Sequence, residues 1–369
     1  MQFTKKFWRE YSPVFLIFLL WRTGLFLVAY LGSLFLGFNA GFPYIETFLI
    51  GSGFPQWFWQ WGNFDGVHYL NIAANGYQDY GVQAFFPLYP KTIWLLNYIT
   101  HNSLLSGFLI SNTSVLLVGI LLYKLVKRDF DKNTALWSVV FLFAFPASFF
   151  FGSLYSEALF MVFVLGSFYF TGIPAGIFAF FAALTRIIGV FLAFVAAVDR
   201  RRAWLCLSIG GLFAYMGFLY LEYANPLMFL SAQQAFSNSR ASSFLKLTTP
   251  FQVMFRYLKI FLTDNPSHYD FWIAVLEFTA FVLGTGFLLW ITYKRQVKTT
   301  YLFYAWPALL LPSLSGTFSS MPRYLIVVFP LYIGLAQLKN RHLKVGILVS
   351  FIVLLALLTI LFTRGYWVS

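Results

Sequence analysis

Residues 13–37 read PVFLIFLLWRTGLFLVAYLGSLFLG. A bilayer core takes about 20 consecutive apolar residues in a helix, and this run exceeds that with Arg22 as its single charge. It is too long for the apolar core of a secretory leader and has no clear small-residue cleavage site, so it reads as a retained anchor. Working outward, runs of similar length recur to the end of the chain. Of 369 residues, 60% are hydrophobic, 22% aromatic and 10% charged, against about 25% charged in a soluble domain. Mean hydropathy is +0.74. These values predict an all-α, polytopic membrane helix bundle forming a single domain over 1–369.

The formal charge of +13 does not point to nucleic acid. The basic residues stand in short clusters between apolar runs, where they set orientation. The clusters are Lys5/Lys6/Arg9, Lys124/Lys127/Arg128/Lys132, Arg200/Arg201/Arg202, Lys294/Arg295/Lys298 and Lys339/Arg341/Lys344. If all face the cytoplasm, an even number of crossings separates each neighbouring pair. Spans near 13–37, 104–123, 134–151, 155–171, 204–222, 270–292, 299–314, 322–338 and 343–362 satisfy that rule, about nine in all. Residues 84–100, with Pro87, Pro90 and Lys91, are assigned to the outer interface. Residues 174–198, interrupted by Thr185-Arg186 and Gly189, are expected to form a re-entrant pair of half-helices. The outer segments are then 38–103, 152–154, 223–269 and 315–321. Cys206 is the only cysteine, which excludes an intramolecular disulfide and a multi-cysteine metal site.

With 12 acidic residues, each can be weighed. Glu10, Asp129, Asp131 and Asp199 lie beside basic clusters as counter-charges. Asp264 and Asp270 flank Asn265-Pro266 and suit turn and cap roles. Glu46, Asp79 and Glu222 read as outer or interfacial. Glu277 lies inside an expected span, where it either pairs with a basic residue or acts in function. Asp65 lies in GNFDGVHYLNIAANGY, residues 62–77. A helix from about 64 to 74 puts Asp65, His68 and Tyr69 on one face; Asn63 or Asp65 also suits an N-cap. Glu157 lies at an outer turn, for an interhelical bond or an ion pair. Arg22 and Arg186 are embedded, and Arg323 sits at an outer helix end. Each suits an ion pair with Glu157 or Glu277, or equally a phosphate. No histidine–carboxylate cluster has zinc-site spacing, and no P-loop or dinucleotide fingerprint occurs.

Several fragments occur together in order: Asp65…His68-Tyr69-Leu70…Ile72-Ala73…Gly76-Tyr77, then Ala84-Phe85-Phe86-Pro87…Pro90, then Pro146-Ala147-Ser148…Tyr155-Ser156-Glu157-Ala158-Leu159-Phe160. Weaker ones are Arg186…Gly189, Asn225-Pro226-Leu227…Gln233 and Arg323-Tyr324-Leu325…Pro330. In these the chain resembles the GPI mannosyltransferase 2 (PIG-V-like) family of the GT-C membrane glycosyltransferases. It departs at Ile188, where the family usually has a polar residue, and in the modest 223–269 segment; both bear on the acceptor.

The resemblance implies an inverting transferase taking a sugar, mannose by family, from a polyprenyl-phosphate carrier on the outer or lumenal face. The family-like acid is Asp65, in an outer catalytic loop near 38–103. Such chemistry asks for a base at the acceptor hydroxyl and a cation at the departing phosphate. Asp65 fits the base, and His68 and Tyr69 fit orienting roles. Arg323 fits the phosphate contact, with Arg186 or Arg240 as alternates. Tyr77, Trp57, Trp59 and Trp61 suit sugar stacking, with an interfacial belt the favoured role for the tryptophans. Glu157 is a supporting or acceptor-site residue. No metal-ligand cluster is evident; a weakly held Mg²⁺ or Mn²⁺ remains compatible. The expected partners are the lipid-linked donor, membrane lipids and a lipid, glycan or protein acceptor. A bacterial plasma membrane with an outer site is preferred, an endoplasmic reticulum membrane with a lumenal site being the alternative. A flippase of a lipid-linked sugar is the competing class, and a non-catalytic assembly subunit a third.

Overall fold

The computed structural model describes residues 2–236 and 248–368, the side chains of 2–7 excepted. The longer helices are α1 (Gln2–Phe35), α2 (Asp65–Asn75), α3 (Leu88–Thr100), α4 (Ser103–Asp129), α5 (Lys132–Ala144), α6 (Glu157–Tyr169), α7 (Gly172–Thr185) and α8 (Leu192–Val198). They continue as α9 (Leu207–Tyr223), α10 (Pro250–Thr263), α11 (Tyr269–Tyr293), α12 (Thr299–Ser313), α13 (Met321–Leu325), α14 (Pro330–Ala336) and α15 (Arg341–Thr363). Short helical turns fill many of the connections, and no strand occurs among the described residues. The all-α expectation holds.

Among the described residues, five helical segments are long and apolar enough to cross a membrane: Trp8–Phe35, Ser103–Asp129, Arg200–Tyr223, Tyr269–Tyr293 and Arg341–Thr363. The other four expected crossings fold as shorter or interrupted helices. The 134–151 run stops as a helix at Ala144, because Phe145 precedes Pro146 and turns extended, with ψ 138°. The 322–338 run is split into α13 and α14, with Pro330 starting the second piece. Residues 155–171 contain only the 13-residue α6, and 299–314 only the 15-residue α12. A continuous crossing takes about 20.

The chain divides into two compact units. The first comprises residues 1–71, 92–170 and 332–367. Within it α4 packs against α5 and α6, while α1 packs against α4, α5 and α15. Its helix starts are locally encoded. Asn102 caps α4 by accepting the Leu105 N–H at 3.0 Å. Asp131 caps α5 from the Asn133 and Thr134 N–H groups and the Thr134 hydroxyl. These bonds hold the Asp131 carboxyl below its ordinary range, the Thr134 hydroxyl contributing most.

The second unit comprises 72–91, 171–331 and 368–369. Within it α7 packs on α9, α8 on α12, and α10 on α11. The expected break in 174–198 falls at Arg186, whose extended backbone (φ −155°, ψ 143°) ends α7. A 3-10 turn over Ile187–Phe191 leads into α8. The turn folds back so closely that a Cβ at Gly189 would stand 2.4 Å from the Ala182 carbonyl carbon. Ile188 is 1% exposed, so an apolar residue suits its place.

Replacing the α5 cap, Asp131→Ala, is expected to cost about 1 kcal/mol at neutral pH, read by thermal unfolding in detergent. A carboxyl whose folded pKa is depressed contributes fully above its unfolded pKa. It loses that contribution as pH falls through the folded value. The gap between wild type and variant should therefore close as pH drops below about 4.

Candidate functional site

The first unit brings the 60–69 and 153–157 segments together. Helix α2 starts at Asp65, which makes Asp65 a first-turn residue and not the cap, in the place where helix partial charge favours an anion. Asn63 does not cap either. Its side-chain amide donates to the Phe362 carbonyl at 2.9 Å, and its Oδ1 has no hydrogen-bond partner among the described residues. Phe64, between them, has φ +58°. A bulky residue in that region carries a cost on the order of 1–3 kcal/mol. Its ring is held by Phe42 at 4.8 Å, Trp367 at 5.3 Å and Phe362 at 5.9 Å, whose packing offsets the strain.

Tyr155 fixes this turn from the other segment. Its hydroxyl donates to the Asn63 carbonyl at 3.0 Å and accepts the Asp65 N–H at 3.3 Å. One residue on, the Ser156 hydroxyl accepts the Tyr69 hydroxyl at 2.8 Å. The Leu154 N–H donates to the Trp61 carbonyl at 2.9 Å. Asp65 and His68 are half-buried, while Tyr69 is 3% exposed. The spacing argument for one shared face thus holds, with Asp65 and His68 reachable and Tyr69 spent on anchoring. His68 lies edge-on to Tyr44 at 5.8 Å. Glu157 is fully buried in the first turn of α6, directly after Ser156. Trp57 is exposed, whereas Trp59 and Trp61 are buried, so only Trp57 stands free to meet a sugar or an interface.

Arg22 belongs to the same unit. It takes neither Glu157 nor any other described side chain as a hydrogen-bond partner. Its guanidinium carbon lies 4.4 Å from the ring centroids of Phe26 and Trp61 and 5.0 Å from Phe108, contacts worth about 0.5–2 kcal/mol each.

The second unit holds the remaining candidates. The Tyr77 hydroxyl donates to the Phe85 carbonyl at 2.8 Å, and the Tyr77 carbonyl accepts from Gln83 and Tyr223. Those bonds shape the 77–86 segment. Arg323 is buried in α13, and the Arg186 guanidinium stands 5.5 Å over the adjoining Tyr324 ring. Glu277 accepts the Tyr257 hydroxyl at 2.6 Å and the Ser320 N–H at 3.1 Å, and Tyr257 accepts the Phe318 N–H at 3.1 Å. The embedded acid therefore shapes the turn before Arg323. Burial, then the charge of Glu277, pushes the Tyr257 hydroxyl well above its ordinary value. Arg240 lies outside the described residues. Among the described residues no group of three or more His, Cys, Asp or Glu side chains is placed to hold a metal ion.

Residues 14–190, just under half of the chain, match the family model described as mannosyltransferase (PIG-V), and the resemblance read from the sequence is borne out over that stretch. GPI mannosyltransferase 2 of Drosophila pseudoobscura pseudoobscura is 30% identical over 138 residues, 33% of this chain and 28% of that relative's length. Two solved structures of the Archaeoglobus fulgidus oligosaccharyltransferase are also similar. The apo form has a TM-score of 0.41 and 13% identity, covering 95% of this chain and 56% of that one. The form tethered to an acceptor peptide has a TM-score of 0.42 and 15% identity, covering 94% and 55%.

The Tyr69–Ser156 bond predicts coupling between the two segments. Tyr69→Phe and Ser156→Ala should each cost about 1 kcal/mol. A double-mutant cycle read by unfolding in detergent should return a coupling of about 0.5–1.5 kcal/mol. A cycle that closes additively would mean the two segments are not joined through this bond.

Proposed function

Proceeding from the PIG-V family match of residues 14–190, we propose that the chain is a glycosyltransferase. It moves a sugar, mannose by family, from a polyprenyl-phosphate carrier to an acceptor hydroxyl at the extracytoplasmic face of a membrane, with inversion at the sugar carbon. The observation that carries this reading is the placement of Asp65. It is a half-buried carboxylate at the first turn of α2, with its backbone held by Tyr155 and with His68 on the same helical face.

In this reading Asp65 accepts the acceptor's hydroxyl proton as the oxygen attacks the anomeric carbon. The bond from that carbon to the carrier phosphate breaks, and the carrier leaves as a phosphate anion. His68 orients the acceptor or the base. Arg323 is assigned to the leaving phosphate, with Arg186 as the alternate, since a guanidinium fork matches phosphate oxygens. Glu157 supports the Asp65 turn from α6. The acceptor is a lipid, a glycan or a protein. A divalent cation, Mg²⁺ or Mn²⁺, is compatible with the reaction. The membrane is a bacterial plasma membrane or that of the endoplasmic reticulum.

Purified protein in liposomes, supplied with polyprenyl-phosphate mannose and with acceptors from each class, tests the reading. Transfer without translocation of the donor is expected; translocation without transfer would favour a flippase. Asp65→Asn should lower turnover by about two to four orders of magnitude with an unchanged unfolding transition. Near-normal turnover in that variant removes Asp65 from the base role. Arg323→Ala should weaken donor binding, and unchanged donor affinity counts against phosphate contact there.

A further inference from the structure

Arg22 stands midway along α1 and is 7% exposed. Its Nε, Nη1 and Nη2 all lack a hydrogen-bond partner among the described residues. So does Nε1 of Trp61, which is fully buried. Buried donors are almost always satisfied, and a buried charge is costly without a partner. The aromatic neighbours Phe26, Trp61 and Phe108 engage the charge of the guanidinium. A cation–π contact leaves the N–H donors, which lie in the guanidinium plane, without acceptors. The indole N–H is likewise a donor only.

Gly152 gives this group its room. A Cβ there would stand 2.6 Å from Nη1. Gly152 leads into the segment whose Leu154 N–H donates to the Trp61 carbonyl and whose Tyr155 hydroxyl accepts the Asp65 N–H. The unsatisfied donors are thus tied, through two short backbone stretches, to the turn that presents Asp65.

We infer that Arg22 and Trp61 form a receptor for a phosphate group, in addition to the Arg323 contact proposed for the departing phosphate, with Gly152 leaving the guanidinium its room. A guanidinium has five N–H donors and the indole adds one. Several phosphate oxygens, each with more than one lone pair, match that set better than the two oxygens of a carboxylate. An arriving phosphate neutralises the embedded cation and satisfies its donors in the same step. The phosphate comes either from a lipid head or free in water. The proposed carrier chemistry is the reason a phosphate is at hand, and the inference rests on that reading to this extent.

The test is binding, which needs no transfer. Full-length protein in detergent is titrated with farnesyl phosphate, farnesol and inorganic phosphate, and binding is read by thermal unfolding and by equilibrium titration. Farnesyl phosphate should stabilise the protein while farnesol does not. Inorganic phosphate binding as well as farnesyl phosphate assigns the site to the free anion; binding only of farnesyl phosphate assigns it to a lipid head. Arg22→Gln should weaken phosphate binding at least tenfold or so, and Arg22→Lys, which keeps the charge but not the fork, should weaken it less. Trp61→Phe keeps an aromatic face, removes the N–H and should weaken binding roughly threefold to tenfold. Gly152→Ala should also weaken it. The inference is overturned if wild type binds neither phosphate compound. It is also overturned if Arg22→Gln binds as wild type or, should that variant not fold, if Trp61→Phe and Gly152→Ala both bind as wild type. Retained turnover in Asp65→Asn would sink the base assignment alone and leave these outcomes unchanged.

Discussion

One phenolic oxygen organises the first unit. The Tyr155 hydroxyl, donating to the Asn63 carbonyl and accepting from the Asp65 amide, locks the turn before α2 to the turn before α6. Both turns are interruptions in helical backbone, and an interruption among apolar helices leaves N–H and C=O groups that water is not there to satisfy. The two breaks solve that problem for each other. Tyr155, Ser156 and Leu154 bond to Asn63, Asp65, Tyr69 and Trp61. The place of Asp65 at the start of α2 is a by-product of this mutual satisfaction.

The second unit uses the same device with different residues. Glu277, carried on an apolar helix, accepts from Tyr257 and from the Ser320 amide, and Tyr257 accepts from the Phe318 amide. Ser320 has φ +66°, a conformation a serine holds only when its surroundings fix it. The turn entering α13, and with it the place of Arg323, follows from a buried acid and a buried phenol. Glu277 thus accepts from a hydroxyl and an amide donor at once.

The helical class was legible because hydropathy reports burial in lipid directly, and long runs such as 13–37 and 343–362 became α1 and α15. Continuity was less legible. Hydropathy does not register that Phe145 before Pro146 must leave helical geometry, so an apolar run over 134–151 becomes a short helix and a turn. The Asp65–His68–Tyr69 face was readable from spacing, since a helix of 11 residues preserves it. That Tyr155 would be the group holding Asp65 was present in the Tyr155-Ser156-Glu157 fragment, but a phenol's partner about 90 residues away leaves no periodic trace. Tyr77 read as a ring for sugar stacking, and the sequence did not show that its hydroxyl serves the Phe85 carbonyl. Tyr257 carried no signal at all, because its function depends on an acid 20 residues further on in another helix.

The 362–367 segment grips residues 39–64. The Phe362 carbonyl accepts from Asn63, the Arg364 carbonyl accepts from Asn39, and Phe362 and Trp367 wall in the left-handed Phe64. A ribosome delivers Phe362 some 299 residues after Asn63. Until those residues are made, the segment around Asp65 lacks the ring wall that makes the Phe64 dihedral angle tolerable. The turn before α2 therefore reaches its final form only after the 362–367 segment has been made and has folded back onto it.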